Sequence, residues 1–309
     1  MAWWKVPKAS NQNIMHCTVC ICTYQRPALL KRLLESLRNQ QTNGQLIYDI
    51  VVTDNDALES GRAVVSELGI DYPVPLRYCT EERRSIALAR NKAVAQAAGD
   101  AIAFIDDDEF ADPDWLWNLH SALLRYGVAG VLGPVRPHFD KEPPEWLRRG
   151  RFCERPEHPT GYVMPWAECR TGNVLFRKEI IAGLDPVFSP EFGLAGSDVN
   201  FFWRMMQKQH RFIWCNEAVV HEVVPPSRWT RSYMMKRALL RGSNSLKHPE
   251  GRWKALARSM VAIPTYTVLL PFLQLAGHHH FMKFAIKWCD HTGRFLSLFK
   301  IRLVKQRQM

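Results

Sequence analysis

The chain has 309 residues, enough for one large domain with an appendage or for two domains. Hydrophobic residues make up 47% of it, as in globular proteins, and its formal net charge is +11. Residues 228–309 contain 16 Lys and Arg against 2 Asp and Glu, whereas residues 1–227 contain 25 against 28. A slightly acidic body with a basic tail argues against a nucleic-acid groove across the protein and favours a tail that meets an anionic surface.

Residues 17–135 alternate short apolar runs with helical patterns. The predicted strands are 18–23, 47–53, 76–79, 101–105 and 128–135, and the predicted helices are 27–37, 57–68, 85–97 and 115–126. Strands separated by helices of this length require right-handed crossovers. We therefore expect an α/β fold with a mainly parallel sheet and helices on both faces.

Two common nucleotide-binding loops are excluded after the first strand, because no glycine precedes Gly44. A bound nucleotide must then be held by side chains and a metal. Residues 1–16 lack the apolar run of a signal peptide, so we expect a reducing compartment. Cys17, Cys20 and Cys22 are accordingly interpreted as structural thiols of the first strand.

Four consecutive acids, residues 106–109, directly follow the apolar strand 101–105. Such carboxylates repel one another unless a cation or basic groups neutralise them, and hard oxygen ligands suit Mg²⁺ or Mn²⁺. No basic residue is adjacent in sequence, so we expect a metal. The alternative is a solvated loop before a helix that starts near Asp112. The end of a core strand, however, is where α/β sheets place their ligands.

The second half begins with residues 136–170, rich in Pro, Arg and Glu, which we interpret as a mobile excursion over the sheet edge. A short strand at 174–176 and a flexible loop at 192–196 precede a helix whose start presents Asp198. That position also suits a simple helix N-cap. An apolar run then leads to His221 and Glu222.

Seven short motifs occur in an order that resembles the family 2 glycosyltransferases of GT-A fold, over roughly residues 17–245. The motifs are Thr23-Tyr24-Gln25-Arg26-Pro27, Val51-Val52-Thr53-Asp54-Asn55, Ala89-Arg90-Asn91, Asp106-Asp107-Asp108, Gly172-Asn173, the Gly196-Ser197-Asp198 loop continuing to Arg204, and His221-Glu222. Each motif is weak alone, whereas the ordered series is specific.

The resemblance implies a nucleoside-diphosphate sugar donor, with a UDP-sugar as first candidate. It assigns the donor to six residues: Thr23, Tyr24 and Arg26 beside the base, Asp54 at the uracil or ribose, Arg90 at the diphosphate and Asp106 at the ribose. Arg90 is equally compatible with the surface of its helix.

The resemblance also implies that Asp108 binds Mg²⁺ or Mn²⁺, that His221 completes the metal shell, and that Asp198 is the catalytic base. Ser85 and Ser197 depart from the Gly and Glu common at these positions in the family. Ser197 removes a carboxylate from the acceptor loop and leaves the acceptor undefined. A base opposite a metal-bound leaving diphosphate predicts inversion at the anomeric carbon.

Two other functions remain compatible with these residues. A nucleotidyltransferase also needs clustered acids and a divalent metal, although neither a glycine-rich basic loop nor a second acidic pair is present. A membrane-bound sugar-nucleotide sensor would tolerate loss of the base and metal residues, and both are present.

The tail contains residues 259–277, a stretch without charged residues whose length approaches a membrane span. A buried core helix is the alternative. Basic residues on both sides, Pro264 and Pro271 favour a segment in the interface, followed by an amphipathic basic pattern through Arg302. We therefore expect a GT-A domain at 1–245 and a membrane-associating region at 246–309. The predicted enzyme is peripheral, on the cytoplasmic face of the inner or plasma membrane, with a lipid-linked or polysaccharide acceptor and no nucleic-acid partner.

Overall fold

The computed structural model describes residues 14–192, 196–247, 252–301 and 304. Its strands are β1 (Met15–Thr23), β2 (Leu46–Asp54), β3 (Leu76–Thr80), β4 (Ala101–Asp106), β5 (Glu109–Ala111), β6 (Gly130–Leu132), β7 (Val135–His138), β8 (Asn173–Arg177), β9 (Phe212–Trp214) and β10 (Val220–Val223). Its helices are α1 (Pro27–Leu37), α2 (Arg62–Gly69), α3 (Ile86–Gln96), α4 (Trp115–Tyr126), α5 (Glu145–Gly150), α6 (Ser197–Gln207), α7 (Arg231–Asn244), α8 (Arg252–Leu275) and α9 (His278–Leu298).

The main sheet has seven strands in the order β3-β2-β1-β4-β8-β6-β9. β1 is parallel to both β2 and β4, β2 to β3, and β6 to β9, whereas β8 is antiparallel to its two neighbours. A second sheet joins β5, β10 and β7. The predicted α/β class with a mainly parallel sheet is confirmed.

Both faces of the main sheet carry a hydrophobic core, because alternate residues of a strand point to opposite sides. Val19 and Ile21 of β1 pack with α1 and α4 in one core, whereas Cys20 packs with α3 and α6 in the other. All three are fully buried. The predicted placement of helices on both faces is confirmed.

The strand expected at 128–135 is divided between the two sheets as β6 and β7. The chain turns at Gly133, where a Cβ would lie 2.2 Å from the carbonyl oxygen of Ala218. Pro134 then leads into β7, which pairs with β10. The prediction of one continuous strand was therefore wrong.

The helix expected at 57–68 begins only at Arg62. The carboxylate of Asp54 accepts hydrogen bonds from the backbone N–H groups of Asp56 (3.0 Å) and Gly61 (2.7 Å). These bonds close the loop after β2 and hold residues 56–61 outside the helix.

The C-terminal helices form a layered group. α9 packs against α7 and α5, and α8 packs on α9. Among the described residues one helix, α8, is long and apolar enough to cross a membrane, and only 11% of its most apolar window is buried. α8 is therefore the exposed layer of this group.

Candidate active site

The carboxyl end of β4 brings the acidic run next to the end of β1. Thr23 donates a hydrogen bond from Oγ1 to Asp107 Oδ2 at 2.9 Å. Arg26 donates from Nη1 to Asp107 Oδ1 at 2.9 Å and to Asp108 Oδ2 at 3.2 Å. Two of the predicted donor residues thus contact the acids directly, as parallel strands that end at one edge require.

Two further arginines, both distant in sequence, neutralise the acids from the other side. Arg228 donates to Asp108 Oδ2 at 2.8 Å and to Glu222 Oε1 at 2.7 Å. Arg155 donates to Glu222 Oε2 at 2.6 Å. No basic residue is adjacent to the acidic run in sequence, and these arginines come from segments more than forty residues away.

The carboxylates of the half-buried Asp106 and the buried Glu109 both lie beside Gly172. The N–H of Asp106 donates to Glu109 Oε2 at 3.1 Å, whereas Glu109 Oε1 has no hydrogen-bond partner. Burial raises the pKa of Asp106 to about 6 and the pKa of Glu109 well above its usual value. A Cβ at Gly172 would lie 2.8 Å from Glu109 Oε1 and 3.0 Å from Asp106 Oδ2. Only glycine leaves these two oxygens room.

Arg90 joins this cluster to the start of α6. Its buried guanidinium donates from Nη1 to Ser197 Oγ at 3.0 Å. Asp198 follows as the second residue of α6, after Gly196 at the N-cap. The charges of Arg90 and Asp198 both act on the pKa of Asp106, lowering and raising it respectively. The structure therefore brings Arg90, Asp106 and Asp198 together. Arg90 is not a surface residue, and Asp198 is not the N-cap.

Asp54 and Tyr24 have different environments. Asp54 is fully buried, and besides its two backbone bonds it accepts from the Tyr78 hydroxyl at 2.9 Å. Its carboxylate is thus used to order the loop after β2. The ring of Tyr24 is half-buried and has the Arg84 guanidinium 4.4 Å from its centroid.

His221 is directed away from Asp108. Its Nε2 lies 3.0 Å from Asp112 Oδ1, and its ring stacks on Phe110 with 5.0 Å between centroids. Glu222, the next residue of β10, has the opposite orientation and reaches the arginines at Asp108. Strand alternation explains this difference.

The fit of a divalent cation depends on the acids at β4. Among residues 14–192, 196–247 and 252–301 no group of three His, Cys, Asp or Glu side chains is arranged to hold a metal. Mg²⁺, however, is usually held by one or two carboxylates, with substrate phosphates and water as further ligands. The hard oxygens of Asp106 and Asp108 and the unpaired Glu109 Oε1 fit that chemistry. The residues present fit a cation that binds together with a diphosphate.

Five residues of this cluster were not assigned roles from the sequence: Asp107, Glu109, Arg155, Glu222 and Arg228. Because side chains alternate along a strand, the sequence could have predicted that Glu222 points to the face opposite His221. Arg155 and Arg228 lie in segments without periodicity, and no sequence signal points to them.

The fold and this cluster define a glycosyltransferase of GT-A architecture, and comparisons with known proteins agree. The sequence profile of Glycosyl transferase family 2 matches residues 18–183. Succinoglycan biosynthesis protein ExoM of Rhizobium meliloti strain 1021 is 35% identical over 232 residues, which are 74% of this chain and 73% of ExoM. The chain therefore belongs to glycosyltransferase family 2, as the motifs predicted.

Two solved structures are similar in fold. Mannosyltransferase PcManGT from Pyrobaculum calidifontis, in complex with GDP-Man and Mn²⁺, has a TM-score of 0.63 at 18% identity, over 93% of this chain and 88% of that chain. S. aureus TarS 1-349 in complex with UDP has a TM-score of 0.55 at 14% identity, over 94% and 93%. A longer TarS chain is covered over 55% of its length.

Proposed function

We propose that this glycosyltransferase moves a sugar, with inversion, from a nucleoside diphosphate to a hydroxyl of a lipid-linked or polysaccharide acceptor in cell-surface glycan synthesis. The observation that carries the proposal is the convergence of Arg90, Asp106 and Asp198 near the end of β4, where Arg90 donates a hydrogen bond of 3.0 Å to Ser197, the residue before Asp198. A cation, an anion-binding arginine and a carboxylate base are the three groups that the reaction requires.

Each residue has a part in that reaction. Asp198 would accept the proton of the acceptor hydroxyl as it attacks the anomeric carbon, and the attack from the face opposite the diphosphate produces inversion. Arg90 would bind the departing diphosphate. Thr23, Tyr24 and Arg26 would border the base, since they lie at the end of β1 next to the acids. The contacts of Asp54 support an indirect role, in which it orders the loop that would border the uracil or ribose.

The proposed cofactor is Mg²⁺ or Mn²⁺. Asp108 would hold it, and Asp106 would face the ribose of the donor. Bound with the diphosphate, the cation would neutralise the charge that develops on the leaving group. The Mn²⁺ named with PcManGT supports this cofactor, and the UDP named with TarS supports a uridine nucleotide. Since His221 contacts Asp112, its proposed place in the metal shell requires its ring to turn away from that carboxylate.

The proposed location is the cytoplasmic face of the inner or plasma membrane, with an anionic lipid surface as partner. The outer side of α8 exposes large apolar side chains, and Arg252, Lys254 and Arg258 occupy its first turns. α8 is joined to α9 at two points eight residues apart in its middle, through Ser259 with His291 (2.9 Å) and Trp288 with Thr267 (3.0 Å). These contacts favour a helix that lies in the interface over one that spans the bilayer.

A panel of radiolabelled UDP- and GDP-sugars tests the activity. We expect slow hydrolysis of one donor in Mn²⁺, loss of turnover in EDTA, and loss in Asp108→Asn. Asp140→Asn, which changes an exposed carboxylate outside the cluster, is the matched control. Binding of a sugar nucleotide without turnover would favour a sensor, and unchanged turnover in EDTA would contradict the metal.

A further inference from the structure

Arg228 connects the acidic cluster to helix α7. Its guanidinium bridges Asp108 and Glu222, whose carboxylates are both largely buried. Arg228 ends a 3₁₀ turn, Pro226–Arg228, and α7 begins three residues later at Arg231. Thr230 caps α7 by accepting the N–H of Tyr233 at 3.2 Å. With so short a connection, a displacement of α7 shifts the backbone that carries the guanidinium.

α7 in turn is held by α9 through a close crossing. A Cβ at Gly242 of α7 would lie 2.0 Å from the carbonyl oxygen of Asp290, and a Cβ at Gly293 of α9 would lie 2.2 Å from that of Leu239. Backbone therefore meets backbone on both sides. Any side chain at either glycine forces the two helices apart. Arg241 of α7 also forms an ion pair with Asp290.

The second arginine of the cluster depends on the same helix. Arg155 follows α5 by five residues and binds Glu222, the carboxylate that Arg228 also binds. α5 packs against α9, where the rings of Trp146 and His278 lie 5.6 Å apart. Both arginines therefore extend from elements that rest on α9.

We propose that α9 is a positioning element of the donor site, because it fixes α7 and α5 and thereby places Arg228 and Arg155 at Asp108 and Glu222. This inference rests on the proposed binding of a metal and a diphosphate at Asp108. The two arginines keep neighbouring carboxylates from repelling one another and add positive charge where the diphosphate would lie. The C-terminal helices thus have two separate tasks: the outer side of α8 meets the membrane, and α9 supports the chemistry.

The test compares Gly293→Ala with Val268→Ala, a control on the exposed side of α8. We expect the Kd for UDP or GDP in Mn²⁺, and the donor KM, to rise on the order of tenfold in Gly293→Ala with a smaller change in kcat. Val268→Ala should change them less than twofold. In an Arg228→Gln background, Gly293→Ala should add a smaller factor than it does in the wild type, because residues that act through one another are not additive and only the part that acts through Arg155 remains. Fully multiplicative effects, or wild-type affinity in folded Gly293→Ala, would overturn the proposal.

Two further measurements keep the test decisive. Hydrogen exchange at residues 227–230 should increase in Gly293→Ala and not in Val268→Ala, whether or not a nucleotide binds, and unchanged exchange there counts against the proposal. If circular dichroism shows that Gly293→Ala is unfolded, Asp290→Asn replaces it, since this change weakens the ion pair with Arg241 and adds no atoms at the helix crossing. A wild-type chain that binds no nucleotide would contradict the proposed function instead, which is a distinguishable result.

Discussion

Large apolar side chains are buried in the sheet body and exposed on the outer side of α8. Val19 and Ile21 of β1 are completely buried, and so is Leu33 of α1. On α8, in contrast, Val268 is 65% exposed and Phe272 is 66% exposed. An apolar residue type therefore does not by itself show whether the side chain is buried.

The difference shows what each region requires from its surroundings. Removing apolar surface from water stabilises the body by roughly 25 cal/mol per Å². The apolar side chains on the outer side of α8 remain in contact with water and contribute no such stabilisation. Contiguous exposed apolar surface marks an interaction site, and the basic first turns of α8 favour an anionic lipid partner. Changes in the body should therefore affect chemistry and stability, and changes on α8 should affect location.

The largest expected effect belongs to the body. Asp198→Asn keeps the shape of the side chain but cannot accept a proton, so transfer should fall on the order of a hundredfold to ten-thousandfold. Donor binding and vesicle binding should be unchanged, as measured by calorimetry and flotation. Transfer within about threefold of wild type would rule out Asp198 as the base.

The second prediction compares the same kind of change in both regions. Leu33→Ala removes fully buried methyl groups and should lower the free energy of unfolding by about 2–5 kcal/mol. Val268→Ala removes exposed ones and should change it by less than about 0.5 kcal/mol. Denaturant unfolding of both variants measures this. A large loss in Val268→Ala would mean that α8 belongs to an ordinary core.

The third prediction concerns membrane binding. Val268→Glu with Phe272→Glu should reduce flotation with anionic vesicles by at least about tenfold, because charged side chains are costly in the apolar layer. The same pair of charges at Ile70 and Leu124, which are exposed on the body, is the control and should reduce flotation far less. Donor hydrolysis should be unaffected in both variants. Equal losses in the two variants would indicate a general effect of negative charge.

Hydrophobic periodicity in the sequence predicted the longer helices and strands, which contain enough residues for a period to be recognised. The bounds of α4 match the prediction, and the core strand β4 differs by one residue. β5 and β9 have three residues each, too few for a period to appear. The division of 128–135 depends on a contact between Gly133 and Ala218, which are far apart in sequence.

The positions of site residues could be predicted from the sequence where those residues lie at the end of a strand. Asp106 and Arg26 follow strands that end at one edge, so their proximity follows from the fold. Asp54 follows a strand as well, but an acid that orders a loop and an acid that binds a ligand have the same local sequence. Arg155 and Arg228 could not be foreseen, because the packing of α5 and α7 on α9 places them.

The smallest expected effect is a pH dependence that separates the two regions. His291 of α9 lies 2.9 Å from Ser259 Oγ and 3.3 Å from an Arg294 nitrogen, with Asp290 and Lys287 also acting on it. Burial, and then the charge of Arg294, lower its pKa below the usual value. In the folded helix pair His291 therefore takes up a proton at a lower pH than in the unfolded chain, where a histidine is protonated below about pH 6.5.

The contribution of His291 to stability is consequently complete above that pH and is lost as the pH falls through it towards the lower pKa of the folded state. Between pH 7.5 and 5.5 the free energy of opening α8 and α9 should decrease slightly, and His291→Gln should reduce this slope, while His278 and His279 at the start of α9, whose pKa burial also lowers, account for the remainder. Hydrogen exchange resolves the helix pair from the body, where burial also lowers the pKa of His120 and should give a slope of its own. An unchanged slope at α8 and α9 in His291→Gln would show that another group titrates there.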